Sequence, residues 1–320
     1  MVRFGIIGTN WISGDFVKAI ESTEGCVVTA VYSRKEKTAA DFIEKYNVKE
    51  CRIFTNLEEM AESDVIDAVY VGSPNSLHGK QSIICLKNKK HVICEKPAAT
   101  NLDDFNEMVS LAKENGLTLM EAMKTTFLPN IQAVRENLYK LGDIRNITAN
   151  FSQYSSRYDL LKKGELTNVF DPNFDGGSAF DLGVYPLYVV LSLFGIPKTY
   201  TGSSIFLSSG IDGAGVIILN YGDKIASISH SKITAGNTPS EILGEKGTII
   251  IDGISTASKA EIVMRDGSRE DISVPQEKNQ MIYELKEFLA LIEKGETESK
   301  INSFELSKKS VEILSKVRKI

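Results

Sequence analysis

The chain has 320 residues, of which 42% are hydrophobic and 25% charged, and its formal net charge is −5. This mixture is typical of a globular protein, and the length predicts two domains. The acidic balance argues against a nucleic-acid or membrane-surface partner, and no apolar run approaches the roughly 18 residues of a membrane-spanning helix. Four cysteines (Cys26, Cys51, Cys85 and Cys94) lack C-x-x-C spacing, which predicts reduced thiols, a cytoplasmic protein and no metal site.

Strand-like and helix-like stretches alternate over residues 2–120. Apolar strands are predicted at 2–8, 26–32, 52–54, 66–71, 91–94 and 117–120, and helices at 11–24, 35–46, 76–89 and 102–115. Continuous apolar strands separated by helices of about 10 to 15 residues indicate parallel strands that are covered on both faces. The first half is therefore predicted to be an α/β domain with a doubly wound Rossmann sheet.

Beyond about residue 143 the strand-like stretches follow one another directly. They cover 144–154, 199–207, 213–221, 224–233, 247–252, 259–265 and 269–274, with helices predicted at 177–194, 279–294 and 303–319. This order predicts an α+β domain with a large open, mostly antiparallel sheet. We place the domains at 1–121 and 122–320, with the C-terminal helices packing back on the first. An open sheet exposes one face, which favours a homo-oligomer.

The loop after the first predicted strand, GTNWIS, has G-x-N-x-x-S where a dinucleotide site has G-x-G-x-x-G. Backbone N–H groups and the positive end of a helix can bind pyrophosphate without a particular side chain. Gly8 would form the tight turn, Asn10 would tolerate left-handed torsions and donate its amide to phosphate, and Ser13 is small enough for close packing. We predict that Gly8, Asn10, Trp11 and Ile12 contact the cofactor. The alternative is an ordinary strand–turn–helix junction.

The second predicted strand ends in Tyr32-Ser33-Arg34-Lys35. An NAD site usually has an Asp or Glu at this point, for the ribose 2′-hydroxyl. Ser and Arg instead suit a 2′-phosphate, because serine donates a hydrogen bond and arginine binds phosphate in a fork. We therefore predict that Tyr32, Ser33 and Arg34 bind NADP in preference to NAD. The alternative is a solvated turn that carries two cations.

Glu-Lys-Pro closes a buried strand at residues 95–97. Lys96 would lie at the carboxyl end of a parallel strand, where open α/β sheets bind their ligands. Partial burial and a neighbouring positive charge can lower a lysine pKa toward values useful for proton transfer. The alternative is that Lys96 only pairs with Glu95.

Three motifs together resemble one protein family. S-P-N-x-x-H at 73–78, E-K-P at 95–97 and GGSAFDLGVY at 176–185 are similar to the motifs of the glucose-fructose oxidoreductase / inositol dehydrogenase / MocA (Gfo/Idh/MocA) family. The stretch MEAMKTTFLP at 120–129 and Tyr185 most resemble its dimeric dihydrodiol dehydrogenase and NADP-xylose dehydrogenase branch. The resemblance implies a homodimeric NAD(P)-dependent dehydrogenase that transfers a hydride between a nicotinamide and a sugar, polyol or diol carbon.

The resemblance also implies roles for individual residues. Lys96 would be the general acid/base at the reacting oxygen or its close partner, and Asp181 would orient substrate hydroxyls or the lysine. Tyr185 could instead donate the proton directly. Lys124 and Thr126 depart from the dihydrodiol branch, which has an aromatic residue and an arginine there, so a polar, sugar-like substrate is favoured over an aromatic diol. The cofactor's ribose and nicotinamide would be lined by Ser73, Pro74, Asn75, His78, Glu95 and Lys96.

Two of these residues have a structural alternative. His78 would then only cap or pack on its helix, and Tyr185 would be a core aromatic residue. For the whole protein, the altered GTNWIS loop leaves one alternative function, a non-catalytic NADP-binding regulatory or sensor protein on the same fold.

Overall fold

The computed structural model describes residues 1–318. Its contacts divide the chain into two compact units. The first comprises Met1–Lys124 and Glu277–Phe304, and the second comprises Thr125–Gln276 and the described part of the chain from Glu305 onward.

The elements are numbered in chain order. The strands are β1 (Val2–Ile7), β2 (Cys26–Tyr32), β3 (Arg52–Phe54), β4 (Ala68–Val71), β5 (His91–Glu95), β6 (Leu119–Ala122), β7 (Ile144–Ser152), β8 (Thr199–Phe206), β9 (Asp212–Asn220), β10 (Ile225–Ser231), β11 (Ser240–Gly244), β12 (Gly247–Asp252), β13 (Lys259–Met264) and β14 (Arg269–Asp271). The α-helices are α1 (Trp11–Glu21), α2 (Glu36–Tyr46), α3 (Leu57–Glu62), α4 (Asn75–Lys87), α5 (Leu102–Asn115), α6 (Pro129–Asn137), α7 (Ser156–Lys162), α8 (Val184–Phe194), α9 (Met281–Lys294) and α10 (Phe304–Val317).

The first unit contains a six-stranded sheet in the order β3-β2-β1-β4-β5-β6, in which every pairing is parallel. This confirms the predicted Rossmann sheet. Its central strands are buried on both faces, as the continuous apolar sequence of β4 requires. Burying each large apolar side chain contributes about 1.5–3 kcal/mol relative to exposure. The strand order reverses direction between β1 and β4, where doubly wound sheets bind ligands beyond the carboxyl ends of their strands.

Helix α9 belongs to the first unit although it lies far along the chain. Phe288 places its ring 6.0 Å from that of Phe4, whose ring is in turn 5.9 Å from that of Phe16. Asn279, just before α9, donates a 2.7 Å hydrogen bond to the carbonyl of Asp15. The apolar side of α9 thus completes the core over β1 and α1.

The second unit contains an eight-stranded sheet in the order β14-β13-β12-β11-β7-β10-β9-β8. β7 and β10 are parallel and the other pairings are antiparallel, which confirms the predicted mostly antiparallel sheet. The sequence analysis missed β11, which pairs with both β12 and β7 near the middle of the sheet. It is only five residues long and follows Pro239, so it carries a weak strand signal.

The helix predicted over 177–194 begins with one π-helical turn, Ala179–Gly183, and continues as α8. The segment Pro172–Phe194 reaches the length and mean hydropathy of a membrane-spanning helix, contrary to the statement drawn from sequence. However, 78% of its most apolar window is buried inside the protein, as in the core helix of a globular domain.

Helix bounds differ from the sequence-based ones mainly where elements are short. Helices α3, α6 and α7 lie in segments for which no helix was predicted. α5 ends as predicted at Gly116, which has a left-handed φ of 64°. α10 ends at Val317, and Lys319, the last residue of the predicted final helix, lies outside the described residues.

Candidate active site

The loop between β1 and α1 makes a tight approach to the end of β4. Gly8 has a φ of +103°, and a Cβ atom added to it would lie 2.6 Å from the carbonyl oxygen of Gly72. Only glycine fits both the torsion and the contact. The turn brings the N-terminus of α1 to the carboxyl end of β1, which is the geometry that binds a phosphate group through backbone N–H groups.

Asn10 caps α1 in extended conformation, with φ −91° and ψ −178°. The expectation of left-handed torsions at this position is therefore wrong. Its side-chain oxygen accepts from the N–H of Ser13 at 3.0 Å, and its amide nitrogen donates to the Gly72 carbonyl at 2.6 Å. Asn10 thus ties the loop to the neighbouring strand and stabilises the helix start. Next to it, Trp11 is 69% exposed and Ile12 is half-buried.

Ser13 and the residue that follows it both pack closely against neighbouring elements. A Cβ atom on Gly14 would collide with the ring of Tyr46, the last residue of α2. Ser13 is fully buried and also donates through its hydroxyl to Asn10 at 3.3 Å. Ser13 also lies against the end of β4, where a Cβ atom on Gly72 would be 2.7 Å from its hydroxyl oxygen, so Gly14 adds a second close contact, with α2.

The end of β2 carries the residues predicted for the cofactor's 2′-phosphate. Tyr32 and Ser33 are half-buried, and Arg34 is exposed. The N–H of Ser33 donates to the carbonyl of Phe54 at 3.1 Å, which fixes the turn. Lys35 precedes α2 without capping it through its side chain. A cation and the N-terminus of a helix thus follow the strand next to β1, an arrangement suited to an anion.

His78, on α4, links the S-P-N turn to the E-K-P turn. Its ring is 1% exposed, with Nδ1 2.8 Å from the carbonyl oxygen of Pro97 and Nε2 2.7 Å from that of Ser73. Burial lowers the pKa of the imidazole below its usual value, against the opposing effect of these two carbonyls. Both ring nitrogens face backbone, so the geometry favours the structural interpretation of His78. Pro74 and Asn75, at the start of the same helix, are half-buried.

Glu95 ends β5 and points into a buried polar cluster. Its carboxylate accepts a 2.7 Å hydrogen bond from the hydroxyl of Tyr70, whose ring stacks on Phe16 at 3.9 Å between centroids. Burial, and then the charge of Glu95, raise the pKa of Tyr70 well above its usual value. Glu284 of α9 is fully buried, and its carboxyl oxygens have no hydrogen-bond partner among residues 1–318. Burial, and then the charge of Glu95, raise the pKa of Glu284 well above its usual value.

Lys96 follows at the carboxyl end of the buried strand β5. It is half-buried, its backbone N–H lies 3.3 Å from a carboxylate oxygen of Glu95, and its peptide bond to Pro97 is cis. The first unit therefore brings together the GTNWIS loop, the S-P-N turn and the E-K-P turn at one edge of its sheet, because β1, β4 and β5 are parallel neighbours. Asp181 and Tyr185 belong to the second unit.

Within the second unit, Asp181 lies in the π-helical turn and forms an ion pair with Lys232. The Lys232 side chain is 8% exposed and that of Asp181 is 39% exposed. Sequence reasoning missed Lys232, although a signal was present. Ala226, Ile228 and His230 alternate along β10 as buried residues, and Lys232 is the next position on that face.

Tyr185 lies on the first turn of α8 and is half-buried, with its ring 5.6 Å from that of Phe151 at the end of β7.

The π-helical turn that carries Asp181 is held in place by residues of β9 and β10. Asp212 accepts a 2.6 Å hydrogen bond from the N–H of Ala179, and burial raises its pKa to about 6. His230 contacts the hydroxyl of Ser178 at 2.9 Å, and burial lowers its pKa to about 4.

A parallel sheet with a glycine turn at its switch point is the architecture of a Rossmann-type dinucleotide-binding domain. Sequence models make the class specific. Residues 2–123 match the GFO/IDH/MocA oxidoreductase family with its NAD-binding Rossmann fold, and residues 132–250 match the GFO/IDH/MocA C-terminal domain. The chain belongs to the GFO/IDH/MocA family and is an NAD(P)-dependent oxidoreductase, which confirms the resemblance drawn from its motifs.

Individual relatives extend over the whole chain. It is 46% identical over 319 residues to scyllo-inositol 2-dehydrogenase (NADP(+)) IolU of Bacillus subtilis (strain 168), covering 100% of this chain and 97% of the relative. It is 29% identical to trans-1,2-dihydrobenzene-1,2-diol dehydrogenase of Sus scrofa, covering 99% and 96%. A solved structure of KijD10, a 3-ketoreductase from Actinomadura kijaniata in complex with NADP and TDP-benzene, has the same fold, with a TM-score of 0.88, 23% identity and coverage of 99% and 97%.

Proposed function

We propose that this protein is an NADP-dependent dehydrogenase of a cyclic or sugar-like polyol, and that it interconverts a secondary alcohol and its ketone. The observation that carries the proposal is the 46% identity, over the full chain, to a scyllo-inositol 2-dehydrogenase that uses NADP. The polar residues Lys124 and Thr126, which depart from the dihydrodiol branch, support a polyol over an aromatic diol.

The first unit has the features that an NADP molecule requires. Gly8 leaves no Cβ where the loop approaches Gly72, and α1 begins three residues later, so that the positive end of its dipole lies close to the loop. Ser33 and Arg34 follow β2 where an NAD site would carry an acid. We assign the pyrophosphate to the residues around Gly8 and Asn10, and the 2′-phosphate to Ser33 and Arg34. The ribose and nicotinamide are assigned to the S-P-N and E-K-P turns.

A bound NADP would supply the hydride acceptor for oxidation of the alcohol carbon, or the hydride donor for reduction of the ketone. The alcohol loses two electrons and one hydrogen as that hydride, and the hydroxyl proton must go to a base. We assign this proton transfer to Lys96, at the end of β5. Asp181 accepts hydrogen bonds from substrate hydroxyls, and Tyr185 serves as a second donor to the reacting oxygen. Loss of the Lys96 amine should therefore lower turnover much more than it weakens NADP binding.

We also propose that the protein is a cytoplasmic homodimer with the domain division 1–121 and 122–320. The register of β8, β9 and β10 places Ile205, Val216 and Ile225 on the same face of the sheet, and these side chains are 60%, 42% and 48% exposed. Such an apolar face is suited to a second copy of the chain. The free thiols of all four cysteines support a reducing compartment. Val216→Glu should convert a dimer into monomers in light scattering, and a wild-type monomer would refute this part.

The test is turnover of scyllo-inositol with NADP+ and with NAD+, followed by NADPH or NADH absorbance, for wild type and Lys96→Met. Lys140 provides the matched control, since it is a lysine paired with Glu270 on the surface of the second unit. We expect NADP-dependent turnover in wild type and Lys140→Met, and a loss of about 10²-fold or more in Lys96→Met. Tight NADPH binding without turnover on any polyol or diol would instead favour the regulatory or sensor protein.

A further inference from the structure

A buried lysine with one carboxylate partner lies in the second unit, outside the three family-like motifs. Lys232 directly follows β10, its side chain is 8% exposed, and its ammonium group is paired with Asp181. Its backbone is fixed on both sides, because its N–H donates to the Gly213 carbonyl at 2.8 Å and its carbonyl accepts from the N–H of Ser155 at 2.9 Å. Burying an ammonium group is costly unless it is paired, so a purely structural position has little reason to hold a lysine.

The two members of the pair differ in exposure. The Asp181 side chain is 39% exposed, about five times the exposed fraction of its partner. The lysine therefore contacts mainly protein, whereas part of the Asp181 side chain is accessible to a ligand. An ionised carboxylate accepts several hydrogen bonds and donates none. This is the group that recognises neighbouring hydroxyls of a polyol.

Other charged and titratable groups surround the same turn. His230 comes from β10, Asp212 from β9, Tyr185 from α8, and Arg318, just after α10, lies over the Phe180 ring at 4.6 Å. Arg318 pairs with Asp175 at 2.9 Å and lies 3.9 Å from Asp212. Lys232 pairs directly with the Asp181 carboxylate.

We propose that Lys232 is a positioning residue for polyol recognition: it holds Asp181 ionised and aimed so that the carboxylate can accept hydrogen bonds from two substrate hydroxyls. This inference rests on the proposed dehydrogenase function. It adds a residue that acts through Asp181 and does not itself touch the reacting carbon. Without the ammonium group, the pKa of Asp181 rises, because an adjacent positive charge favours the ionised form.

The substitution Lys232→Met keeps the length of the side chain and removes its charge. We expect kcat/KM for scyllo-inositol to fall about 10- to 100-fold near neutral pH, mainly through KM, and to recover partly at higher pH as Asp181 ionises. Lys232→Arg retains the charge and should keep most of the activity. His230 and Asp212 are the same in both proteins, so the ratio of variant to wild-type activity at each pH isolates the effect on Asp181. Lys224→Met, which breaks the surface pair with Asp223, is the control and should leave the profile unchanged.

Stability separates this role from a structural one. Asp181→Asn leaves Lys232 buried and unpaired, so its melting temperature should fall. The double variant Asp181→Asn/Lys232→Met should regain part of that stability but no activity. A loss in Lys232→Met that is equal at every pH, with no rescue by Lys232→Arg, would overturn the proposal.

A readout independent of turnover keeps this inference distinct from the proposed function. The side-chain carboxyl NMR signal of Asp181, assigned by its absence in Asp181→Asn, should titrate at higher pH in Lys232→Met than in wild type. An unchanged titration refutes the inference even if wild type oxidises polyols. An inactive wild type with the expected titration shift would refute the dehydrogenase function and leave the Lys232–Asp181 coupling supported.

Discussion

The side-chain amide of Asn10 donates a 2.6 Å hydrogen bond to the carbonyl oxygen of Gly72, and so joins the start of α1 to the end of β4. The same side chain caps α1 through the N–H of Ser13. A glycine at this position, as the usual dinucleotide motif has, could make neither contact. The altered GTNWIS loop has therefore exchanged a flexible residue for one that fixes the loop, and the N–H groups of α1 remain at the strand end.

Asn10→Ala should consequently weaken both the fold and the cofactor site. Loss of a helix cap costs about 1 kcal/mol, and loss of the bond to Gly72 adds a comparable amount. We expect a lower free energy of unfolding in urea and a several-fold weaker affinity for NADPH, measured by the emission of Trp11, the single tryptophan.

Asn56 provides the matched control, because its side chain caps α3 by accepting from the N–H of Glu59 at 3.1 Å. Asn56→Ala removes an equivalent cap at a distance from the loop in sequence and should leave NADPH affinity unchanged. Equal losses of affinity in the two variants would show that Asn10 acts only through global stability.

Whether Gly14→Ala lowers or raises the melting temperature should depend on a second residue, Tyr46. Alanine is normally favoured over glycine inside a helix by about 1 kcal/mol, but a Cβ at Gly14 would collide with the ring of Tyr46. Gly14→Ala should therefore lower the melting temperature. In a Tyr46→Ala background, where the ring is gone, the same change should raise it. A destabilising effect of similar size in both backgrounds would contradict the assigned contact.

The Gly14 contact also shows what a motif can and cannot predict. The alternation of apolar strands and helices was sufficient for the Rossmann sheet, since β1, β2, β4 and β5 are each buried on both faces and so have continuous apolar sequences. The position of the tight helix packing was not predictable, because it depends on where the Tyr46 side chain of another helix lies. The motif pointed to Ser13, which packs against the end of β4, and gave no sign of the helix–helix contact at Gly14.

Long-range pairing limited the prediction of the second unit in the same way. Asp181 was identifiable as a carboxylate on an otherwise apolar helix, which needs a partner. One such partner, Lys232, lies 51 residues away along the chain, and only the folded structure brings the end of β10 to the turn that carries Asp181. β11 was missed for a related reason, because a five-residue strand gains its stability from the neighbours on both sides rather than from its own sequence.

Cofactor preference should depend on Arg34. Its guanidinium is exposed at the end of β2, and it can bind a 2′-phosphate that NADH lacks. Arg34→Ala should weaken NADPH binding about 10-fold or more and leave NADH binding nearly unchanged, as measured by Trp11 emission with each cofactor. Lys37→Ala, an exposed cation on α2, is the control for general loss of charge. If Arg34→Ala weakens the binding of NADPH and NADH equally, Arg34 does not bind the 2′-phosphate.

Two buried titratable groups under the Asp181 turn should make opposite contributions to stability over the same pH range. The pKa of Asp212 is raised by burial from 3.8 to about 6, so its contribution to stability is present below pH 3.8 and is lost as pH rises through about 6. The pKa of His230 is lowered by burial from 6.5 to about 4, so its contribution is present above pH 6.5 and is lost as pH falls through about 4. Together the two largely offset one another in wild type.

Single substitutions should reveal the two opposing pH dependences of the free energy of unfolding. Asp212→Asn can still accept from the N–H of Ala179 but does not titrate, so its free energy of unfolding relative to wild type should rise with pH between about 4 and 6. His230→Asn retains a polar group near Ser178 and should show the reverse, a value relative to wild type that falls as pH rises. Each slope is limited to about 1.4 kcal/mol per pH unit. Urea unfolding at several pH values measures both, and subtraction of wild type cancels the groups that are unchanged. Slopes of the same sign in the two variants would mean that burial does not control both ionisations.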